Sequence, residues 1–341
     1  MRIGERTIDS DAPPYVIAEI GVNHDGRAER ALELVDAAAD AGADAVKFQL
    51  FRADLLLSDA SELAGYQRDQ GAASPFDLLR ALELPLPDLS HAAERAHARG
   101  LHALVTVFST GLIDAAMEAP WDAFKVASPD IVNRPLIRTL LAQGLPLILS
   151  TGASTLEEVR RATDWCQGAR VALLQCVSSY PTPDERAALG GIGHLHRTTG
   201  LPVGYSDHTA ALDTGGLAVA AGAVILEKHL THDRSAPGPD HAASLDPVGF
   251  AEYVRLARRA WTMVGPHEKR LLDEELDVRR VSRQSIVAAR VLSAGTVLVA
   301  ADVAVKRPGT GIEPWRLNDV LGRTVRHEVR AGMPLREEDL A

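Results

Sequence analysis

Cysteine is scarce in this chain of 341 residues, where only Cys166 and Cys176 are present. Two such thiols form neither a paired CxxC zinc pattern nor a disulfide framework, so we expect both to be reduced and structural. The sequence also lacks an apolar run of about 18 or more residues, and its first residues lack a charged segment leading into an apolar one. These absences predict a cytoplasmic protein without a membrane span.

Aromatic residues make up only 4% of the chain, and no basic stripe with interleaved aromatics occurs. With a formal net charge of −10, this pattern argues against nucleic acid as the main partner. The nucleotide-binding patterns GxGxxG after a strand and GxxxxGK[ST] are absent too. What is present, 46% hydrophobic and 24% charged residues, suits a globular protein with a large core. An acidic protein that binds anions must build local positive sites.

From about Tyr15 to Gly265, short β-branched apolar runs alternate with longer amphipathic stretches, which is the pattern of βα units around a parallel sheet. One such stretch, RAERALELVDAAADAG, spaces its apolar residues three and four apart and closes on Gly42. Eight strands with eight helices predict an α/β fold, a closed (β/α)₈ barrel of the TIM type. The predicted strands are 15–21, 44–50, 102–108, 123–128, 146–151, 171–177, 202–206 and 223–230.

Beyond Gly265 the pattern changes to a charged helical segment, HEKRLLDEELDVRRVSR, which predicts a linker. Short apolar runs between Gly and Pro turns then predict the strands SIVAAR, TVLV, VAVKR and RTVRHEV. The expected organisation is a barrel domain over 1–265, a linker over 266–283 and a small, mostly β domain over 284–341.

Polar residues recur at or just past the predicted strand ends. Barrel enzymes place their catalytic groups there, and a polar side chain in a buried strand is costly unless it is hydrogen-bonded. One such position for each strand predicts a functional site at this end of the barrel. The positions are Glu19, Lys47 with Gln49, Thr106, Lys125 with Ser128, Ser150 with Thr151, Gln175 with Ser178, Ser206 with Asp207 and His208, and Glu227 with Lys228 and His229.

Two histidines lie at or just past the ends of successive predicted strands, His208 in SDHT and His229 in LEKH. Adjacent strand ends lie close enough for both imidazoles to reach one divalent ion, with water and substrate in the open positions. A lone histidine more often belongs to a core or a surface, but the placement of this pair predicts a metal site.

Three lysines, Lys47, Lys125 and Lys228, are predicted in the barrel mouth. Ammonium groups there are costly unless they meet an anion, and neighbouring hydroxyl groups favour a phosphate with a carboxylate as that anion. The alternative is structural pairing with Glu19 and Glu227, which can coexist with anion binding. The hydroxyl groups expected nearby are those of Thr106, Ser128, Ser150 and Ser178.

The segment 232–247, HDRSAPGPDHAASLDP, is too rich in Gly and Pro to be helical and follows the last predicted strand. Loops in this position often carry function. It is interpreted as a lid or a substrate-orienting loop, with a plain surface connection as the alternative.

Taken together, several segments resemble the bacterial sialic acid (N-acetylneuraminate) synthase family. They cover essentially the whole chain in family order, and KRPGTGI in the tail resembles the family's C-terminal antifreeze-like (SAF) domain. The other segments are AEIGVNHDG, GADAVKFQ, FKVAS, ILSTGAS, CVSSYPTP, VGYSDHT, LEKHLT and PGPDHAASLDP.

The resemblance implies a role for each matching residue. Glu19 and Gln49 would line the reacting centre, and Glu227 and Asp240 would hold sugar hydroxyls. A divalent ion, Mn²⁺ with Mg²⁺ or Co²⁺ as alternatives, would sit on His208 and His229. The tail domain would swap across a homodimer and bring Arg307 to the active site of the partner subunit. Phosphoenolpyruvate would be held by Lys47, Thr106, Lys125, Ser128, Ser150, Ser178 and Tyr180, with Ser206 near the phosphate.

The implied activity is condensation of phosphoenolpyruvate with the open-chain aldehyde of N-acetylmannosamine or a related amino sugar, giving a nonulosonic acid and phosphate. One alternative is a legionaminate- or pseudaminate-type synthase that uses a diacetamido-trideoxyhexose, and another is a non-catalytic sugar-binding protein. The chain departs from the family pattern at VTVFS (105–109), at PDIVN after KVAS, at Ala188 and at His232 in THDR. These departures leave the residues implied for phosphoenolpyruvate and metal intact and bear on the sugar pocket.

Overall fold

The computed structural model describes residues 1–61, 74–266 and 268–341. Its first compact unit, Met1–Pro266, contains eight parallel strands that close into a barrel, because the last strand pairs with the first. Each strand lies within two residues of its predicted bounds, so the (β/α)₈ prediction is confirmed. The strands are β1 (Tyr15–Gly21), β2 (Ala45–Leu50), β3 (His102–Val107), β4 (Ala123–Val126), β5 (Leu147–Ser150), β6 (Val171–Cys176), β7 (Val203–Asp207) and β8 (Ile225–His229).

The barrel interior has an apolar layer near the amino ends of the strands. Side chains alternate between the two faces of a strand, so the next inward residue lies two positions further along. In β1, β2, β3 and β4 that step leads from an apolar residue to a polar one. The apolar layer includes Ile17, Ala45, Leu104, Ala123, Ile148, Ala172, Leu174 and Ile225.

Amphipathic helices cover the outside of the barrel. The first, α1 (Ala28–Asp40), buries Ala31, Leu34, Val35 and Ala38, and Gly42 follows it with a φ of 82°. None of the helices in the described stretches is long and apolar enough to span a membrane. The others in this unit are α2 (Ala53–Leu56), α3 (Pro75–Leu82), α4 (Leu86–Ala98), α5 (Ile113–Ala116), α6 (Arg134–Ala142), α7 (Leu156–Trp165), α8 (Gly190–Thr199), α9 (Thr214–Ala220) and α10 (Pro247–Val264).

An N-terminal hairpin, formed by Arg2–Ile3 and Arg6–Thr7, precedes the first barrel strand. Its fully buried Ile3 and the nearby Ile8 belong to the same cluster as the apolar layer inside the barrel. Apolar packing therefore fills the interior at this end of the barrel.

The second compact unit, His267–Ala341, contains an antiparallel pair of strands, β9 (Ser285–Ala288) and β10 (Val303–Lys306). The predicted strands TVLV and RTVRHEV contribute only isolated bridges, such as Val297 with Thr324, so two of the four tail strands were predicted wrongly. Short apolar runs between tight turns cannot sustain a longer ladder. The small core of the unit is Ile286, Ala288, Leu292, Leu298, Ile312, Val320, Val325, Val329, Leu335 and Leu340.

The charged segment expected to be a linker groups with the second unit. It contains α11 (Leu276–Ser282), and α12 (Leu317–Val320) lies further along the same unit. One residue of the expected linker, His267, lies outside the described residues.

Candidate active site

The candidate site lies where the polar layer begins. Strand β2 places Lys47 inside the barrel, two positions beyond Ala45, and β4 places Lys125 two positions beyond Ala123. Both ammonium groups are buried, with Lys47 5% and Lys125 2% exposed. A buried charge requires a partner of opposite sign, so this layer is suited to anions.

Lys47 lies beside three of the predicted site residues, and a fourth orients one of them. Its Nζ contacts Glu19 Oε2 and lies 3.6 Å from Glu227 Oε2. It donates a hydrogen bond to Thr106 Oγ1 at 3.3 Å. Gln49 Nε2 in turn donates to Glu19 Oε1 at 3.1 Å, which orients that carboxylate.

Lys125 lies on the other side of Glu227. Its Nζ donates to Ser150 Oγ at 2.6 Å and to the Val126 carbonyl at 3.1 Å, and it lies 3.7 Å from Glu227 Oε1. Ser206 Oγ donates to the same carboxylate oxygen at 3.0 Å. The free protein therefore has the carboxylate pairing that was weighed against anion binding, and an anion would have to share the lysines with Glu227.

These neighbouring charges shift one another's pKa values. Burial lowers the pKa of Lys47 to about 8, an effect that Glu227 opposes and Lys125 increases. Burial acts to raise the pKa of Glu227, but the attraction of Lys125 and Lys47 outweighs it and lowers that pKa to about 2. Glu227 is therefore ionised at neutral pH, whereas Lys47 is close to losing its proton.

A small cradle forms at Gly152, in the loop after β5. The Gly152 N–H donates to Ser128 Oγ at 2.9 Å. A Cβ at this position would clash with Ser178 Oγ and would lie 2.8 Å from Ser128 Oγ and 3.0 Å from Cys176 Sγ. The structure thus brings two predicted serines together at a glycine that the sequence analysis did not single out. The sequence does contain a signal for this glycine, since it lies in TGAS directly after a strand. Glycine is favoured where other groups must approach the backbone closely.

His208 follows β7 and His229 ends β8, with their ring centroids 5.5 Å apart. His208 Nδ1 lies 2.9 Å from the Val177 carbonyl, so in the neutral ring Nδ1 carries the proton and Nε2 keeps its lone pair. Tyr180 covers both rings, with centroid distances of 4.2 Å to His208 and 6.5 Å to His229.

The two imidazoles fit one divalent ion. Metal–nitrogen bonds of about 2.1 Å place the centroids of two rings on one ion roughly 4.5–5.5 Å apart, and the observed spacing lies at the upper end of that range. Burial lowers the pKa of His229 well below its ordinary value, which keeps that ring neutral as ligation requires. Burial acts to lower the pKa of His208, but Cys176, the Val177 carbonyl and Glu227 together raise that pKa above its ordinary value.

Across the described ranges, no group of three or more His, Cys, Asp or Glu side chains could hold a metal ion. An ion on His208 and His229 would therefore complete its coordination with water and substrate, as catalytic metal sites do.

The loop over 232–247 is exposed in its first part and buried at the carboxyl end of the barrel in its second part. Residues 232–235 are exposed, whereas 239–241 and 243–245 are buried. Asp240 Oδ2 lies 3.6 Å from His229 Nδ1, and burial raises the pKa of Asp240 above its ordinary value. The second half of the loop therefore lies beside the histidine pair.

The loop after β1 holds this second half in place. Asn23 Nδ2 donates to Ser244 Oγ at 2.8 Å, and His241 Nε2 lies 2.9 Å from Asp25 Oδ1. Asn23 and His241 are almost fully buried and were missed by the sequence analysis. Only the fold reveals their contact, because more than 200 residues separate the partners.

The prediction for Lys228 was wrong, because its side chain does not join the other two lysines in the barrel mouth. It is fully buried, lies 3.5 Å from Asp207 Oδ1, contacts the Thr209 carbonyl and lies 5.8 Å from the ring centroid of Tyr253 on α10. Gln175 also faces outward, against α8. Side chains alternate between the two faces of a strand. Lys228 and Gln175 therefore point outward, while the residues directly before and after each of them point inward.

Arg307 lies in the second compact unit, where it directly follows β10 and is exposed. A cis peptide bond joins it to Pro308. Its action on the active site of a partner subunit stays a prediction.

Comparison with known proteins assigns both units. The NeuB family matches residues 34–269, and the SAF domain matches residues 283–341. The chain is 38% identical over 330 residues to an N,N'-diacetyllegionaminic acid synthase of Legionella pneumophila, covering 94% of this chain and 93% of that protein. It is 33% identical to the protein of the same name from Campylobacter jejuni, covering 94% and 98%.

A solved structure agrees with this assignment. The N-acetylneuraminic acid (sialic acid) synthetase of Leptospira borgpetersenii, crystallised with citrate, superposes with a TM-score of 0.75 at 30% identity, covering 82% of this chain and 94% of that one. The two family matches together extend through both units in sequence. The chain therefore belongs to the NeuB family, with a C-terminal SAF domain, and is an enzyme of the nonulosonate synthase class, a phosphoenolpyruvate-dependent transferase that forms a carbon–carbon bond.

Proposed function

We propose that the enzyme joins phosphoenolpyruvate to the open-chain aldehyde of an N-acylated amino sugar and releases phosphate and a nonulosonic acid. The observation that carries this proposal is the pair of buried lysines, Lys47 and Lys125, beside two histidines spaced for one metal ion. A doubly anionic substrate and an aldehyde acceptor need these two kinds of site next to each other.

Phosphoenolpyruvate would take the place between the lysines. Its phosphate and carboxylate would accept charge-assisted hydrogen bonds from Lys47 and Lys125, which are among the strongest that proteins make. The Gly152 cradle supports this position, because the absence of a Cβ lets the hydroxyl groups of Ser128 and Ser178 approach the backbone closely there. The remaining contacts would come from Thr106, Ser128, Ser150, Ser178, Tyr180 and Ser206.

His208 and His229 would hold the divalent ion, which we propose to be Mn²⁺, with Mg²⁺ or Co²⁺ as alternatives. When bound, such an ion polarises the acceptor's aldehyde oxygen and makes its carbon more electrophilic. Asp240, close to His229, and Glu227 would accept hydrogen bonds from sugar hydroxyls and so orient the aldehyde.

The π electrons of the C2–C3 double bond of phosphoenolpyruvate form a bond from C3 to the aldehyde carbon. The π electrons of the aldehyde move to its oxygen, and positive charge develops at C2. Water then adds at C2, and the Glu19 carboxylate, which Gln49 orients, would take its proton. The C2–oxygen bond to phosphate breaks, C2 becomes a ketone carbon, and the two protons of the added water end on the former aldehyde oxygen and on the departing phosphate. Lys47 and Lys125 would stabilise the anionic groups throughout.

Two acceptors are candidates. The names of the relatives at 38% and 33% identity favour a diacetamido-trideoxyhexose, whereas the sialic acid synthetase structure favours N-acetylmannosamine. Both sugars offer an aldehyde and an acylated nitrogen to the same site. We further propose that the enzyme is a cytoplasmic, domain-swapped homodimer in which Arg307 contacts the acyl-amino group.

The test is to incubate the protein with Mn²⁺, phosphoenolpyruvate and a panel of mannosamine and diacetamido-trideoxyhexose derivatives, then to measure phosphate release and identify products by mass. We expect one sugar class to yield phosphate and a product enlarged by three carbons. Lys47→Met is the matched inactive control. Tight sugar binding without phosphate release from any acceptor would favour the non-catalytic sugar-binding alternative.

A further inference from the structure

Lys228 and Asp207 form an ion pair on the outer face of the barrel, directly behind the histidine pair. Both side chains are 0% exposed, and Lys228 Nζ lies 3.5 Å from Asp207 Oδ1. The Tyr253 ring on α10 closes the other side, 5.8 Å from the ammonium group, which is within cation–π range. Nothing in the chemistry proposed above uses this pair, because both side chains point away from the substrates.

The position of the pair in the sheet is specific. Lys228 and Asp207 are register partners across β8 and β7, and each directly precedes a histidine, His229 or His208. The pair therefore links the two strands one residue before the points from which both imidazoles project into the barrel.

The same two side chains also hold the backbone that follows His208. Asp207 Oδ1 accepts a hydrogen bond from the Thr209 N–H at 2.8 Å, and Lys228 Nζ donates to the Thr209 carbonyl. The His208 carbonyl accepts a hydrogen bond from the Thr182 N–H at 2.8 Å. His208 thus sits on a chain segment that is fixed on both sides.

A buried ion pair is a poor means of adding stability. Removing two charges from water commonly costs as much as their attraction returns, and apolar residues of similar size are often neutral or better. Two methionine- or leucine-like side chains would fill this space between the barrel and α10. An ion pair at this position is better explained as a contact that fixes the geometry of the two strand ends than as a source of stability.

We propose that Lys228 and Asp207 are positioning residues that fix the separation of His208 and His229 and thereby set the affinity of the site for its divalent ion. The inference rests on the proposed function, since it takes these histidines as the metal ligands. It assigns a role to the outward-facing residues of the SDHT and LEKH motifs. The inward-facing residues of each motif face the substrates, and the outward-facing ones hold those inward-facing residues in position.

The test compares Mn²⁺ binding to the metal-free wild-type protein, His208→Ala and the double variant Asp207→Asn with Lys228→Met, by titration calorimetry without substrates. The double variant leaves no uncompensated charge and keeps the side-chain oxygen that accepts from the Thr209 N–H. We expect its Kd for Mn²⁺ to rise about tenfold or more, in line with the effect of groups that orient metal ligands. Phosphoenolpyruvate affinity measured without metal should change less than about threefold, because the lysines that hold it are untouched.

The matched control is Glu252→Gln with Arg255→Met, which neutralises an exposed ion pair on the same helix as Tyr253 and should leave Mn²⁺ affinity unchanged. If the double variant does not fold, Asp207→Leu with Lys228→Met supplies the comparison, since it replaces the pair by two apolar side chains of similar size and leaves no buried charge. Lower stability against urea with unchanged Mn²⁺ affinity would overturn the inference by showing a purely structural pair. Equal Mn²⁺ binding by wild type and His208→Ala would overturn the proposed metal site, and this inference with it.

Discussion

Lys125 Nζ lies 3.7 Å from Glu227 Oε1, so this buried ammonium group is paired with a carboxylate of the protein itself. The other oxygen of the same carboxylate lies 3.6 Å from Lys47 Nζ. An incoming phosphate or carboxylate must therefore compete with Glu227 for both lysines. With phosphoenolpyruvate between the lysines, as proposed, this competition would limit its affinity and would leave Glu227 able to accept a hydrogen bond from the second substrate.

Glu227→Gln should tighten phosphoenolpyruvate binding at least about threefold, because it removes a competing negative charge a few ångströms from both lysines. The turnover number should fall at least about tenfold, since the glutamine holds a sugar hydroxyl less firmly than a carboxylate does. Calorimetry and steady-state kinetics measure the two effects separately. Exposed Glu252→Gln is the control, and weaker phosphoenolpyruvate binding in Glu227→Gln would contradict the competition.

Phosphoenolpyruvate affinity should fall as pH rises through about 8, the pKa of Lys47 in the free enzyme. Lysine is charged below its pKa, and the anion binds the charged form. The full contribution of Lys47 to phosphoenolpyruvate affinity is therefore present at pH values below this pKa and is lost above it. Between about pH 7 and 9, Kd should rise about tenfold, with proton uptake on binding. Calorimetry in buffers of different ionisation enthalpy detects that uptake, and Lys47→Met should abolish it. A constant Kd over this range would argue against Lys47 as a substrate contact.

Gly152→Ala should raise the Kd for phosphoenolpyruvate more than about tenfold while leaving thermal stability close to that of the wild type. The added methyl group would enter the space beside Ser178 and would lie 2.8 Å from Ser128 Oγ, so it would displace the hydroxyl groups proposed to meet the substrate. Gly111→Ala is a matched control, because a Cβ there meets nothing within 4 Å. Equal affinity in the two variants would show that the cradle does not touch the substrate.

His208→Ala and His229→Ala should each abolish turnover and Mn²⁺ binding without unfolding the barrel, because each removes one of two protein ligands from a formed site. Circular dichroism checks the fold, and calorimetry with the metal-free protein checks ligation. Full activity in either variant at saturating Mn²⁺ would refute the ligand assignment.

Arg307 should act in trans, from the tail of one subunit on the barrel of the other. Mixing inactive His229→Ala with inactive Arg307→Ala under conditions of subunit exchange produces heterodimers in which one intact tail can serve one intact barrel. Trans action predicts that activity returns in these heterodimers. Verified exchange between folded, dimeric variants with no recovered activity would place Arg307 within its own subunit or outside the reaction.

The sequence alone determined the barrel and the polar end at which its site lies. Strand composition repeated eight times fixes a parallel barrel, and the position of Glu19, Lys47, Thr106 and Lys125 near strand ends follows from the same repeats. Side chains alternate between the two faces of a strand, so Glu227 and Lys228 point to opposite sides of the barrel wall. A prediction from nearness to a strand end alone does not distinguish the two faces, which is why it places Lys228 wrongly.

Only the tertiary structure decided which distant groups meet. The contacts of Asn23 with Ser244 and of Asp25 with His241 join segments more than 200 residues apart, and no local pattern encodes such a contact. The tail strands depended on tertiary pairing in the same way, since their short runs contribute only isolated bridges. Local periodicity sets which face of an element is apolar, whereas closure of the barrel sets which side chains share the space inside it.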